Sequence, residues 1–191
     1  MNMNKTKEII ISRRIGANPL ELEGIDRVDR FTYLGVTITN KLSLEQHIKA
    51  LVSYSNKLHF LLIRMQSLGL DKESTTAIFN SFTMAKITYA IPFMWTLLSS
   101  KDKHALQAII NKAYRRGIIG QPEQIEDIAR ERILRLFKKL AKDPDHPLYP
   151  LVPVIQEKGR RRGKPVVSYA ATCRDQKTFF MYCSLIKNNL T

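Results

Sequence analysis

Carboxylates are scarce in this chain. Seventeen Asp and Glu face 31 Lys and Arg, which leaves a formal net charge of +14. Near-adjacent acids are scattered, as at Glu21/Glu23, Asp26/Asp29, Glu126/Asp127 and Asp143/Asp145. None makes the paired-aspartate box that two-metal catalysis requires. Asp143-Pro144-Asp145-His146 sits among prolines and reads as a loop rather than a metal site. Cysteine is almost missing. Cys173 and Cys183 have no further Cys or His close by, so neither a disulfide framework nor a four-ligand zinc site is expected. None of His47, His59, His104 and His146 begins an H-x-D pair, which leaves an iron/2-oxoglutarate triad unsupported. There is no glycine-rich phosphate loop and no G-x-S-x-G. Long apolar runs are missing too. Met1-Asn2-Met3-Asn4 lacks the apolar core of a signal peptide. The stretch from Ile87 to Leu98 contains Pro92 and is too short to span a bilayer. The expectation is a soluble intracellular protein, nuclear or cytoplasmic, with no membrane and no bound cofactor.

Apolar residues are plentiful. They make up 44% of 191 residues, enough for one sizeable core or two small ones. The positive charge is uneven. Residues 1–100 carry 12 Lys/Arg against 8 Asp/Glu, and residues 101–191 carry 19 against 9, or +4 and +10. Such asymmetry points to a polyanionic partner, nucleic acid before membrane, with a merely solvated basic surface as the alternative.

Periodicity predicts an α+β fold, mostly α. Glu8–Ser12 is a β-branched run, and Leu20, Leu22 and Ile25 suggest a second short strand. Phe31–Thr39 alternates, with Gly35 breaking the register. Together, residues 8–39 read as a small antiparallel sheet. Ser43-Leu44-Glu45-Gln46 has the form of a capping box. Behind it, Leu44, Ile48, Leu51, Ser55, Leu58, Leu62 and Met65 recur every three or four residues, one stripe that Gly69 ends. A second helix is expected over 72–90, with Asp71 as cap, Ile78, Phe82, Ala85 and Tyr89 inward, and Pro92 as stop. A third is expected over 101–116, capped by Ser100, with Leu106, Ile109, Ile110 and Ala113 inward. A fourth, over 123–142, has Ile125, Ile128, Ile133, Leu136 and Leu140 inward, and its polar face carries Arg130, Arg132, Arg135, Lys138, Lys139 and Lys142. The short connections favour antiparallel neighbours in a bundle. Four prolines between Pro144 and Pro153 then predict an extended segment. An irregular basic tail follows, with five basic residues in Lys158–Lys164.

The order of three motifs carries a family resemblance. Asn2-Met3-Asn4-Lys5-Thr6-Lys7 precedes the first strand, Tyr33-Leu34-Gly35 follows, and then the long helix begins. This order resembles the region downstream of the catalytic aspartates in reverse transcriptases of LINE-type, non-LTR retrotransposons. In that family an N-x-x-K-T segment closes the palm, a Y-L-G turn forms the primer grip, and a helical thumb follows. His47-Ile48, Tyr89-Ala90-Ile91-Pro92 with Trp95, and Leu106 to Arg116 are similar to further thumb motifs. His146 to Leu151 is similar to a stretch late in many of these reading frames. The resemblance covers 2–12, 31–65 and 78–116 best.

It implies three segments: a palm-edge remnant with the primer-grip hairpin (1–40), a thumb-like bundle (41–120), and a basic helix with a Pro/Arg-rich tail (121–191). It implies that Lys5 matches the palm lysine, a candidate general acid toward departing pyrophosphate. A surface lysine is the plainer reading. It places Tyr33, Leu34 and Gly35 at the primer's end, where a hairpin glycine with Phe31 and Tyr33 in the core is the plainer reading. It implies backbone contacts to a primer-template duplex by Lys49, Lys57, Arg64, Lys112, Arg115 and Arg116. Arg160, Arg161, Arg162 and Lys164 would neutralise phosphates, act as an import signal, or do neither. The family's Mg2+-binding aspartates lie upstream of the motif with which this chain starts, so the chain is expected to be inactive alone and to need an upstream palm and fingers. The competing readings are a free-standing basic module that binds RNA or DNA without sequence preference, and a helical scaffold that docks a protein through the stripe over 44–65. Trp95 and Tyr89 are expected in the core rather than as stacking platforms.

Overall fold

A computed structural model describes residues 6–11 and 19–149. Lys5, Arg160, Arg161, Arg162, Lys164 and both cysteines lie outside the described residues. Four short strands come first: β1 (Lys7–Glu8), β2 (Asp26–Arg27), β3 (Arg30–Tyr33) and β4 (Val36–Thr39). The helices are α1 (Glu45–Ser67), α2 (Lys72–Phe79), α3 (Ala85–Thr88), α4 (Ile91–Met94), α5 (Ser100–Arg115) and α6 (Ile125–Ala141). A π-helical turn, Asn80–Met84, joins α2 to α3. The fold is α+β and mostly α.

The strands do not form one antiparallel sheet. β1 pairs with β2 in parallel, and β3 pairs with β4 antiparallel, as two separate ladders. Leu20 and Leu22 are exposed and lie outside any strand. β1 and β2 are also joined by two ion pairs: Lys7 with Asp26, and Arg27 with Glu8 at 2.7 Å. The β3–β4 hairpin turns on Leu34 and Gly35, whose φ angles are +48° and +79°. A two-residue turn needs this double left-handed backbone to match the twist of its strands. Gly35 therefore ends a strand rather than interrupting one.

The chain divides into two compact units. One comprises the residues through Ile87 together with Leu97–Pro122. The other comprises Thr88–Thr96 and the chain from Glu123 onward.

In the first unit, α1 buries Leu44, Ile48, Leu51, Ser55 and Leu62, as its period predicts. His59 lies in the same buried row. The expected capping box at Ser43 does not form. The N-cap is Leu44, without a side-chain cap, and the Gln46 side chain accepts from Arg30. The box occurs at α5 instead, where the Ser99 hydroxyl accepts from the Asp102 N–H at 3.2 Å and the Asp102 carboxylate accepts from the Ser99 N–H at 3.1 Å. The cap is thus Ser99, one residue before the expected Ser100. Asp71 caps α2 as expected, accepting from the Ser74 N–H at 2.8 Å.

The second helix departs most from its sequence pattern. Thr75, Phe79, Thr83 and Ile87 are buried, while Phe82, Ala85 and Tyr89 are exposed. A spacing of four drifts about 40° per step around an α-helix. The wider π turn absorbs part of that drift and keeps the threonine-bearing row inward. Pro92 does not stop this helix either: α3 ends at Thr88, and Pro92 lies in the first turn of α4, where its missing N–H costs nothing.

α1 and α5 end alike. Gly69 and Gly117 have φ of +99° and +71°. The Leu70 N–H reaches Met65 O, and the Ile118 N–H reaches Ala113 O, both at 3.0 Å. These are Schellman closures, and only glycine takes that backbone without strain.

In the second unit, α4 packs against α6. Ile91, Met94 and Trp95 are buried, as are Ile125, Ala129, Ile133, Phe137 and Leu140. Ile128 is only half-buried and Leu136 is exposed, so the inward row runs through Ala129 and Phe137 instead. Trp95 is core as expected, but Tyr89 is not. After α6, residues 143–149 form turns rather than an extended segment.

Candidate nucleic-acid interface

The first unit gathers most of the described basic candidates. α1 and α5 run parallel, side by side. Glu45 and Lys49, at the start of α1, line one cleft with Lys101, Asp102 and Ala105, at the start of α5. Further along, the Lys112 ammonium donates to Asn56 Oδ1. At the far end, Gln66 Nε2 donates to Gly117 O at 3.5 Å. α2 and α3 return between them in the opposite sense: Thr76, near the start of α2, donates to Ile118 O at 2.8 Å, and Lys86 of α3 lies over the Tyr54 ring at 3.9 Å. α1 and α2, joined by a short turn, are antiparallel as expected, but the α1–α5 pair is not.

The cations differ in how far they are already answered. Lys49 pairs with Glu45 at 2.8 Å. This bond holds the Lys49 ammonium above its ordinary pKa and the Glu45 carboxyl below its own, with Lys101 adding to the latter. Lys49 is therefore the weakest phosphate candidate. Lys57 and Arg64 are exposed and form no ion pair among the described residues. The same holds for Arg115 and Arg116 at the end of α5. From Gln46 through Leu70 there is no acidic residue at all. Phosphates meeting this stretch of α1 would find no carboxylate on it, and the attraction would weaken with salt.

The hairpin presents its tip to solvent. Tyr33 is 63% and Leu34 70% exposed, so Tyr33 is not core. A Cβ built on Gly35 meets nothing within 4 Å. β4 anchors the hairpin to α1, with Val36 buried and the Thr37 N–H donating to His47 Nδ1 at 3.5 Å. Burial, with help from Lys86, lowers the His47 pKa and keeps that nitrogen an acceptor.

Two residues that periodicity does not single out stand beside the basic face. His59 is fully buried, with its ring 5.6 Å from Phe79 and neither ring nitrogen hydrogen-bonded among the described residues. Burial, aided by Lys112 and Arg116, pushes its pKa down to about 4. The ring is thus neutral at pH 7 beneath two cations. Phe60 follows it in sequence, about 100° further round the helix, and is exposed. Its only signal in the sequence is an apolar residue that falls off the α1 stripe.

In the second unit, Arg130, Arg132, Arg135, Lys138, Lys139 and Lys142 are all exposed along α6. Arg135 is answered by Glu131 at 2.6 Å. Among the described residues no group of three His, Cys, Asp or Glu side chains could hold a metal ion. Nor is any described helix long and apolar enough to cross a membrane. No protein-family model, curated protein or solved structure matches the chain.

Proposed function

We propose that this chain binds the sugar-phosphate backbone of nucleic acid through α1 and α5. By the resemblance quoted above, it would be the palm-edge, primer-grip and thumb segment of a LINE-type reverse transcriptase. The observation that carries the reading is the parallel helix pair. It collects Lys57, Arg64, Lys112, Arg115 and Arg116 in one unit, on helices with few carboxylates to compete. Positive charges without a carboxylate partner are stabilised by phosphate and give little sequence preference. The exposed tip of Tyr33, Leu34 and Gly35 is free of backbone crowding, as a primer-gripping turn would need.

The sequence holds no paired aspartates, so these residues supply binding and no nucleotidyl transfer. The test is binding of the purified chain to a labelled RNA–DNA primer-template duplex over a salt series, with primer extension on the same sample. Salt-sensitive binding without extension is expected. No binding at low salt would sink the reading, and extension would overturn the claim that catalysis is missing.

A second reading, a protein-docking scaffold, draws on the exposed Phe82 and Ala85. The stripe over 44–65 does not serve it, because Leu44, Ile48, Leu51 and Leu62 are already buried in the core.

A further inference from the structure

The outward face of α1 carries an aromatic ring where duplex binding alone has no use for one. Lys57, Phe60, Leu61 and Arg64 are spaced by three, one and three residues, and all four are exposed. That spacing puts them on one side of the helix, opposite the buried row of Ile48, Ser55, His59 and Leu62. Phe60 is 72% exposed, although a phenyl ring gains free energy from leaving water. One cation precedes it by a turn and another follows by a turn, together spanning roughly 10 Å of helix axis. The face has no acid to repel a phosphate. Cations flanking an exposed aromatic are the arrangement by which proteins hold an unpaired strand: the charges take the backbone and a base stacks on the ring. A duplex keeps its base faces covered, except at its ends.

We infer that Phe60 is a stacking platform for an unpaired nucleotide, with Lys57 and Arg64 holding the phosphates on either side. The ligand class is single-stranded nucleic acid, such as a strand continuing beyond a duplex. This rests on the nucleic-acid reading above. An apolar contact with a second copy of the chain would use the same Phe60 and Leu61, but two uncompensated cations on each copy would repel each other, which favours the polyanion.

The experiment compares the intact chain with Phe60→Ala and Phe60→Tyr on a labelled single-stranded oligonucleotide and on a blunt duplex of equal length. Circular dichroism checks that helix content is kept. Loss of one stacked base predicts a fall of about 5- to 150-fold in single-strand affinity for Phe60→Ala, with the salt slope unchanged. Duplex affinity should hold, and Phe60→Tyr should restore single-strand binding. Lys57→Ala should weaken both ligands and flatten the salt slope by about 1. If Phe60→Ala binds single strands like the intact chain, or loses both ligands equally, the stacking role is wrong. Phe60-dependent dimerisation in sedimentation without a change in strand binding also overturns it. If the intact chain binds neither ligand, the failure is that of the nucleic-acid reading itself.

Discussion

Leu34 occupies a left-handed backbone position that a leucine disfavours, at the tip of the hairpin and 70% exposed. Asn-Gly is the preferred pair for such a turn. Leu34→Asn should therefore raise stability by up to about 1 kcal/mol, read as a shift in the urea midpoint. If Leu34 also touches a primer, the same variant should bind primer-template less well, so stability and binding would move in opposite directions. His59 makes a second prediction at this scale. Its folded pKa is near 4, against about 6.5 in the unfolded chain. The unfolded state takes up a proton first as pH falls, so the stabilisation is complete above about pH 6.5 and drains away toward pH 4. The loss is at most roughly 3 kcal/mol, and His47 adds to it in the same direction. Denaturation midpoints measured between pH 7 and 4.5 should fall, and less steeply in His59→Leu. An equal slope in that variant would show that His59 is not the group responsible.

At the level of elements, the two capping boxes separate what a motif says from what a structure uses. The Ser43 and Gln46 spacing looks right, yet the Thr39 hydroxyl engages the Ser43 backbone, the Ser43 hydroxyl accepts from the Glu45 N–H, and the Gln46 side chain accepts from Arg30. Ser99 and Asp102 form the working box. Asp102→Ala should cost about 1–2 kcal/mol, while Ser43→Ala should cost only a few tenths, both by thermal or urea unfolding. The reverse order would contradict the cap assignment. Much of the helical architecture was legible in the residues. The stripes of α1 and α5 are regular, and their glycine stops are unambiguous. α2 and α3 depart from their apolar pattern because two threonines take inward positions and a π turn changes the phase, while Phe82 advertises the wrong face. The β1–β2 pairing was hidden for another reason. It joins residues nineteen apart through ion pairs, so no alternation of apolar residues announces it. Phe60 could be seen as an apolar outlier, but its exposure depends on which side of α1 the return helix and α5 take.

For the whole molecule, the excess of cations sets the expected behaviour toward polyanions. If Lys57, Arg64, Arg115 and Arg116 each neutralise one phosphate of a duplex, the log–log dependence of affinity on salt should have a slope of about −3 to −4. A slope near zero would mean that the +14 net charge is only a solvated surface. The charge balance was visible in the composition. The pairing of two basic helices was not, since α1 and α5 are separated by more than thirty residues and lie parallel only because α2 and α3 carry the chain back.

That parallel pairing has an electrical consequence. Both helices finish at the same end, where Gln66 meets Gly117. Each contributes a negative pole of about half a charge, and the start of α2 returns about half a positive one. Left bare, this end would repel phosphate. Arg64, Arg115 and Arg116 stand in or beside the last turns of the two helices and reverse its sign. The three guanidiniums therefore do more than add charge to a neutral surface: they override an unfavourable field, and replacing them with glutamine would leave Lys112, in the last turn of α5, to oppose it.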